Sequence, residues 1–437
     1  MTRLLVLAEG AAAGGFEPLD LTRPGFMMRD GAYVNAERWI ELLRPDLVAA
    51  YVRPELAATV AERTGWGVNQ IPSQIPADVW IVGGMVQPID DARWRALKFP
   101  PRFRWESGNG IVERMPSAQE KNLHDVMASL LKPVPRSGQR ESSVIDFPGR
   151  VPAGVWDLVA NLNSQLAFDW KLWTRHHKSP ARGKLHAPAK GVFVDGDSSL
   201  VWRGKNVRVD PQVVINTRGG PVWLDEGVHV EPFTRIDGPA YIGHGTSLLG
   251  GKFTGGAAIG PGCKIGGEWE ASIAQGFVNK AHAGFFGHGI LGEWVNLGAM
   301  TTNSDLKNTY GTVRVDRAGA SIETGLAKVG SFIADHSKTG IGTLISTGAS
   351  WGVAVNYFGG NLGPKTLPSF VWGGGGRLTE HQLERMLATA ETAMGRRAEI
   401  LKSLGFPVGL TQPQRELLTG LFRESASART AFLSKQP

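Results

Sequence analysis

Aliphatic residues recur every six positions over a long stretch of the chain that begins near residue 200. A glycine or an acid usually follows each of them, as in "IGHGTS" and "IGPGCK". The first series comprises Leu224, Val230, Ile236, Ile242, Leu248, Ile259, Ile265, Leu291 and Leu297. This period predicts a left-handed parallel β-helix with about eighteen residues and three short strands per coil, the aliphatic side chains pointing into the prism.

The repeat changes phase at residues 249–258, 271–290 and 303–328, which predicts insertions that leave the coil as loops. Loops on a rigid scaffold are where binding and catalytic residues concentrate. After residue 328 the pattern favours a register with Val329, Ile341 and Val353 inside the prism and Asp335 and Thr347 in the intervening positions.

The first 150 residues have the pattern of a small α/β domain. The predicted strands are "RLLVLAE", "DVWIVGG" and "GIVERM", and the predicted helices are "NAERWIELL", "PELAATVAER" and "SAQEKNLHDVMASLLK". The last helix carries a capping box at Ser117 and Glu120. The proline- and serine-rich segment "KPVPRSGQRESSVIDFPGRVP" is typical of a linker.

Helical patterns also lie on both sides of the repeat. Residues 151–183 contain an amphipathic helix that we expect to pack between domains, with its apolar stripe at Val155, Val159, Leu162, Leu166, Trp170 and Trp173. Two helices follow the repeat, one with cap signals at Thr379 and Gln382 and one after Thr411; we expect them to cover the open end of the prism. The predicted units are therefore residues 1–150, 151–183, 184–376 and 377–437.

The composition restricts the functional class. The net charge of +7 is spread along 437 residues, which suits phosphorylated or CoA-like ligands better than nucleic acid. The apolar run in "MTRLLVLAEG" is too short for a signal peptide, and we expect no membrane span and a cytoplasmic protein. The single cysteine, Cys263, excludes an intrachain disulfide; we expect it to be buried and inert.

The run "NKAHAGFFGHGILGEWVNLGAMTTNSD", residues 279–305, resembles the acetyltransferase half of the bifunctional N-acetylglucosamine-1-phosphate uridyltransferase/glucosamine-1-phosphate acetyltransferase family. In that family a histidine precedes repeats of the form "LG…IG…VNIGAG" and a "T…N-Y-D" loop. The resemblance implies that His282 is the catalytic base and that Asn296 contacts the sugar. The family's tyrosine is Phe285 here, and Asn303 matches the family's asparagine after a two-residue shift.

The same resemblance implies acyl transfer from acetyl-CoA to an amino sugar or sugar phosphate by a homotrimer. Ala299 and Ser331 would contact the acyl donor. Lys280 and Lys307 flank the candidate site and could meet a phosphate, whereas solvated charge is the ordinary role of such lysines. Asp305 could orient His282, bind the acceptor or cap the tight "TNSD" turn.

The segment "FEPLDLTRP" in the first half resembles the shorter bacterial relatives named as sugar nucleotidyltransferases. The glycine-rich loop "LAEGAAAGGFEPL" lacks the family's arginine, and Gly84 and Met85 stand where the family has a magnesium-binding aspartate. We therefore expect a degenerate nucleotidyltransferase-like domain that uses Mg²⁺ only if it is active. Nucleotidyl transfer is the first alternative function, and a non-catalytic sugar-nucleotide-binding scaffold is the second.

A zinc site that joins His282 and His288 with His244 or His336 is a further interpretation of the histidine spacing. The six-residue repeat already explains that spacing, so we expect no metal. His288 is then expected to be a corner or loop residue.

Overall fold

The computed structural model describes residues 2–10, 15–70, 72, 75–99, 102–107, 110–116, 147–177 and 190–435. The predicted helix over 117–132, with its Ser117 and Glu120 cap, and most of the predicted linker lie outside these residues.

The N-terminal unit is a six-stranded sheet in the order β3-β2-β1-β4-β7-β6. Its strands are β1 (Arg3–Ala8), β2 (Leu47–Tyr51), β3 (Gly67–Val68), β4 (Asp78–Gly83), β6 (Phe103–Ser107) and β7 (Gly110–Pro116), while β5 (Gln87–Pro88) pairs with β8 (Gly149–Arg150). Strands β1 to β4 pair in parallel, and β7 and β6 add an antiparallel edge next to β4. Helices α1 (Asn35–Leu43), α2 (Pro54–Thr64) and α3 (Asp91–Ala96) complete the predicted α/β unit.

The predicted amphipathic helix is two helices, α4 (Val155–Ala160) and α5 (Leu162–His176), which meet at Asn161. Leu162 and Leu166 pack with apolar residues of the β-helix wall. Phe168 and Leu172, on another side of α5, pack into the core of the N-terminal sheet. The two helices therefore join the N-terminal unit to the repeat, as the apolar stripe predicts.

The repeat folds into coils of short parallel strands, typical of a left-handed parallel β-helix. Three columns of strands stack along the prism, and successive partners in one column are about one coil apart, as in Val222↔Ala240 and Ile273↔Ile290. The strands are β9 (Phe193–Asp195), β10 (Val201–Arg203), β11 (Arg208–Val209), β12 (Val214–Asn216), β13 (Val222–Leu224), β14 (His229–Val230), β15 (Thr234–Asp237), β16 (Ala240–Ile242), β17 (Ser247–Ile259), β18 (Lys264–Ala274), β19 (Asn279–Lys280), β20 (Phe285–Gly287), β21 (Ile290–Leu291), β22 (Asn296–Leu297), β23 (Thr302–Asn303), β24 (Arg314–Arg317), β25 (Ala320–Glu323), β26 (Phe332–Ile333), β27 (Lys338–Thr339), β28 (Leu344–Ile345), β29 (Ser350–Trp351), β30 (Asn356–Phe358), β31 (Thr366–Leu367), β32 (Val371–Gly374) and β33 (Arg377–Glu380).

The first predicted aliphatic series lines the interior of the prism, and all nine residues from Leu224 to Leu297 are at most 1% exposed. The predicted register after residue 328 is wrong. Ile333, Ile345 and Trp351 point inward there, whereas Ile341 is 74% exposed at a corner. The antiparallel hairpin β24–β25 lies in the 303–328 insertion, but the phase of the repeat is the same on both sides of it, since Leu291 pairs with Ile333 and Leu297 with Thr339, each 42 residues later.

Two of the three predicted insertions are also wrong. Residues 249–258 lie within the long strand β17, and 271–274 end the long strand β18, which pairs with β17 along most of its length. The phase changes there because these coils are shorter, as in Ala257↔Ser272, with glycines such as Gly251 and Gly256 bending the wall at positive φ.

The C-terminal helices are α6 (Leu383–Gly395), α7 (Ala398–Ser403), α8 (Gln412–Glu424) and α9 (Ala426–Leu433). Thr411 caps α8 as predicted, but Thr379 belongs to β33. The last helix, α9, lies at the end of the prism, where Phe432 packs against the prism core and Arg429 bonds Glu380 of β33; the two predicted helices lie elsewhere. Met394 and Leu401 pack on Phe277 and Trp294, which are corner residues of successive coils, so α6 and α7 run along the side of the prism.

Candidate functional site

His282 lies at a corner of the prism, between β19 and β20. Asn279 pairs in register with Asn296 seventeen residues later, so Ala299 occupies the equivalent corner position of the next coil. We call residues 281–284 and 298–301 the His282 corner. The two coils are joined there by a hydrogen bond from the Met300 amide to the Ala283 carbonyl (2.8 Å). The side chain of His282 is exposed and has no hydrogen-bond partner among the described residues.

Lys280 supports this corner from inside the prism. Its side chain is buried, and its Nζ donates to the carbonyl oxygens of Gly266 (2.7 Å), Gly284 (2.7 Å) and His282 (3.3 Å). Burial lowers the pKa of Lys280 to about 8. The ammonium group therefore holds the backbone that carries His282 and does not point toward solvent, where a phosphate would bind.

The backbone amide of Ala299 faces no described acceptor. Its neighbour Gly298 donates to the Thr339 carbonyl (3.1 Å) and the Thr339 hydroxyl (3.0 Å), so that amide is already occupied. One free N–H group thus lies on the coil next to His282, at the same corner. A free amide of this kind can stabilise a developing oxyanion.

Asn296 lies on the outer face of the prism, three residues before Ala299. Asn279 Nδ2 donates to Asn296 Oδ1 (2.7 Å), which fixes the orientation of the Asn296 amide and leaves its NH₂ group without a described acceptor. Both asparagines line a groove of about 520 Å³ between the prism and α6. The predicted sugar contact therefore opens into a cavity.

A histidine–carboxylate pair, His288 and Asp305, lies beyond the other end of β20 from His282. His288 Nδ1 is 2.7 Å from Asp305 Oδ2, and this hydrogen bond is the main cause that lowers the pKa of Asp305. From the sequence, His288 is a zinc ligand or a corner residue and Asp305 is allowed to orient His282; the structure pairs Asp305 with His288. Their separation of 17 residues matches the local coil length, which is a signal that could have identified the pair.

Glu270 and Lys328 complete the surroundings of His288. Among the described residues, Glu270, His288 and Asp305 form the cluster that could hold a metal ion. Lys328 Nζ lies 3.1 Å from Glu270 and 3.9 Å from Asp305, so an ammonium group already balances these carboxylates.

The zinc site suggested by the histidine spacing has no geometric basis. His282 and His288 stand at opposite edges of β20. His244 Nε2 contacts Ser403 Oγ at 3.1 Å, and the ring of His336 is stacked near Trp294.

The remaining predicted contacts are dispersed. Asn303 is 2% exposed, and both ends of its amide bond the Gly287 backbone, at 2.8 and 2.9 Å. Lys307 donates to the Thr312 carbonyl. Ser331 is fully buried next to Gly289, at a different corner from Ala299, so the two predicted donor contacts do not lie together.

Charged side chains of the N-terminal unit form hydrogen bonds and ion pairs with other residues of the protein. Glu9, at the end of β1, bonds the Arg53 backbone amide (2.7 Å) and side chain. Met85, which follows β4 where a magnesium-binding aspartate was sought, is buried. Arg23 forms ion pairs with Glu293 (3.1 Å) and Asp335 of the β-helix and so joins the two units.

Comparison with known proteins adds one finding about this N-terminal unit. A family model for sugar nucleotidyl transferases matches residues 5–178. The match ends at the helix α5 that joins the α/β unit to the β-helix. No curated protein shows a significant match to the chain.

Solved structures with some similarity include a candidate acetyltransferase of Bacillus cereus, 12% identical, with a TM-score of 0.19 over 49% of this chain and 95% of that one. Another is the Arabidopsis UDP-N-acetylglucosamine acyltransferase, 16% identical, with a TM-score of 0.22 over 57% of this chain and 93% of that one. Both scores are low, so the fold rests on the strand pairing described above. Among the described residues no helix has the length and apolar content to cross a membrane.

Proposed function

We propose that the β-helix transfers an acyl group from acyl-CoA to an amino sugar or sugar phosphate, with His282 as the general base. One observation carries this proposal: the exposed imidazole of His282 lies one coil away from the Ala299 amide at the same corner, and neither has a hydrogen-bond partner among the described residues. Adjacent strands of a sheet are about 4.8 Å apart, so a reacting carbonyl group can meet both.

In the proposed reaction the neutral His282 imidazole takes a proton from the amino or hydroxyl group of the sugar. The sugar nitrogen or oxygen attacks the thioester carbonyl carbon, and the Ala299 N–H stabilises the negative charge that develops on the carbonyl oxygen. The carbon–sulfur bond then breaks, and the thiolate of CoA leaves with the proton that His282 accepted. A positioned base of this kind contributes about 10²- to 10⁴-fold to the rate.

The acceptor is proposed to bind against Asn296. The amide of Asn296 is fixed by Asn279 and keeps two donor hydrogens for a sugar oxygen. Lys280 acts as a positioning residue beneath the corner. The buried Asn303 also has a supporting position, since it holds Gly287 directly before His288.

A second copy of the chain is proposed to complete the donor site in a homotrimer. Apolar side chains are exposed at and beside the His282 corner, at Met300 (57%), Ile341 (74%) and Leu344 (46%). Exposed apolar side chains that cluster around a candidate site favour burial against a partner surface. Size-exclusion chromatography with light scattering tests this assembly.

The first test is release of free thiol from acetyl-CoA by the wild-type protein, with a panel of amino sugars and their 1-phosphates as acceptors. Acceptor-dependent thiol release supports acyl transfer. Its absence with every acceptor and with longer acyl-CoA donors would contradict it.

Nucleotidyl transfer by the N-terminal unit is a second candidate, favoured by the family match over residues 5–178. The buried Met85 and the internal pairing of Glu9 provide no carboxylate free for Mg²⁺ at these positions. Magnesium-dependent release of pyrophosphate from a nucleoside triphosphate and a sugar 1-phosphate would establish this activity. A protein silent in both assays that still binds a sugar nucleotide would be the non-catalytic scaffold.

A further inference from the structure

The groove between the prism and α6 is lined by four cationic side chains. Lys264 and Lys338 project from the prism, on strands that stack on either side of Asn279 and Asn296. Arg396 and Arg397 project from the segment between α6 and α7. No acidic side chain lines the groove in the part of the chain that the structure describes.

The charges in this groove are not compensated by the protein. None of the four cationic side chains forms a hydrogen bond or ion pair within the described residues, although Lys338 and Arg397 are half-buried. Burial lowers the pKa of both groups, and no carboxylate opposes that effect. A desolvated charge is costly unless it is paired, so such groups usually meet a counter-charge.

The end of α6 provides only a small part of that counter-charge. The last carbonyl groups of a helix carry about half an elementary negative charge, which is small beside four cations. The free NH₂ group of Asn296 adds a neutral donor between Lys264 and Lys338. The groove therefore offers donors and positive charge on facing walls.

We propose that this groove binds the diphosphate group of a nucleotide-type ligand. A diphosphate presents oxygens on two phosphorus atoms, which can meet the lysines on the prism and the arginines of the α6–α7 segment at once. Charge-assisted hydrogen bonds to phosphate are among the strongest that proteins form. A volume of about 520 Å³ is in the ordinary range for a small-molecule site.

Aromatic and amide side chains of the groove can contact the parts of such a ligand on either side of its diphosphate. Phe277 and Trp294 are stacked on each other with ring centroids 4.4 Å apart, and both line the groove. In the other direction, Asn279 and Asn296 lead along the outer face of the prism toward the His282 corner. Binding of the diphosphate does not depend on acyl transfer, so the two proposals can fail separately.

Isothermal titration calorimetry on the full-length protein tests the site, with inorganic pyrophosphate, UDP, coenzyme A and inorganic phosphate as probes. We expect the three diphosphates to bind with one site per chain and to weaken as salt is raised. Tighter binding of UDP or of coenzyme A than of pyrophosphate identifies the nucleotide that the groove accepts. No binding of any diphosphate, or equal affinity for inorganic phosphate, would overturn the proposal.

Variants locate the binding on the molecule. Lys338→Met and Arg397→Met should each weaken diphosphate binding by about tenfold or more, since each removes a charge-assisted contact. Lys205→Met, at an exposed turn in another coil, makes the same charge change outside the groove and should alter the affinity less than about twofold. Equal losses in all three variants would contradict the assignment.

Two controls separate binding from folding and from chemistry. Lys338→Met should melt at the wild-type temperature or above, because it removes an unpaired half-buried charge; a lower melting temperature would indicate a structural lysine and overturn the proposal. His282→Gln should bind the diphosphates like the wild type. A loss of binding in that variant would place the ligand at the His282 corner instead of the groove.

Discussion

His288 and Asp305 are hydrogen-bonded at 2.7 Å although they stand 17 positions apart, one on each of two successive coils. Asp305 Oδ2 also lies 3.9 Å from Lys328, at the end of the inserted segment. The pair therefore ties the insertion that carries the β24–β25 hairpin to the wall of the prism.

Asp305→Asn should weaken this tie. The hydrogen bond from His288 lowers the pKa of Asp305 below its ordinary value of 3.8. The ionised Asp305 therefore stabilises the folded protein fully above about pH 3.8, and this contribution is lost as the pH falls through the lowered pKa. We expect the variant to lose about 1 kcal/mol of unfolding free energy at neutral pH, measured by urea denaturation. Glu323→Gln is the control, because Glu323 and its partner Arg314 are both exposed; an equal loss there would contradict the prediction.

Arg23 and Arg63 share the carboxylate of Glu293 but differ in burial, since their side chains are 8% and 37% exposed. Burial raises the pKa of Glu293, yet the two guanidinium groups outweigh it and hold that pKa well below its ordinary range. Arg23→Met removes the buried ion-pair partner of Glu293 and Asp335. It should lower the free energy of unfolding by about 3 kcal/mol or more.

Arg63→Met removes a more exposed partner of the same carboxylate and should cost about 1 kcal/mol or less. Chemical denaturation of both variants at pH 7 measures the difference. Equal losses, or a larger loss for Arg63→Met, would show that Arg23 does not hold the α/β unit against the β-helix.

His336 should make folding sensitive to mild acid. Burial lowers its pKa from 6.5 to about 4; Asp335 and Glu293 oppose this effect, and Lys338 and Arg23 add to it. The unfolded chain takes up this proton below about pH 6.5 and the folded chain does not. Stability due to this group is therefore complete above pH 6.5 and falls between pH 6.5 and 4.

The difference in unfolding free energy between the wild type and His336→Gln measures this effect without the contribution of other groups. It should change by about 1 to 2 kcal/mol between pH 7 and pH 5, to the disadvantage of the wild type at the lower pH. A difference that stays constant over this range would contradict the depressed pKa.

Cys263 should be unreactive in the folded protein. Its side chain is fully buried inside the prism, and burial raises the pKa of its thiol to about 12. A thiol reagent at pH 8 should label less than about a tenth of the protein before denaturation and one thiol per chain afterwards, since the thiolate is the reactive form. Full labelling of the native protein would contradict this prediction.

The fold could be predicted where the sequence pattern has a local physical cause. The series from Leu224 to Leu297 is regular because each coil repeats the same inward position, and all of its members are buried. The predicted register after the β24–β25 hairpin was wrong because Val329 and Val353 are aliphatic and buried but belong to clusters outside the prism core, whereas the inward series continues in steps of six from Leu297 to Ile333 and Ile345. Aliphatic corner residues such as the exposed Ile341 then imitate the inward pattern.

The site could be predicted in part for the same reason. His282 and Ala299 are implied by the resemblance to the acetyltransferase family, but their shared corner and the partner of Asp305 both depend on the 17-residue length of one coil, which the structure shows. Lys280 looked like a phosphate contact because a lysine is usually solvated. Its place on β19 turns it inward, where the carbonyl groups of the corner accept its hydrogen bonds.

The most direct test of the proposed function compares His282→Gln with His288→Gln in acceptor-dependent release of free thiol from acyl-CoA. We predict that His282→Gln lowers kcat by about 10² or more, as expected for loss of a general base, and that His288→Gln stays within about tenfold of the wild type. Wild-type turnover by His282→Gln, with activity lost in His288→Gln, would contradict the account and assign the base to the His288–Asp305 pair.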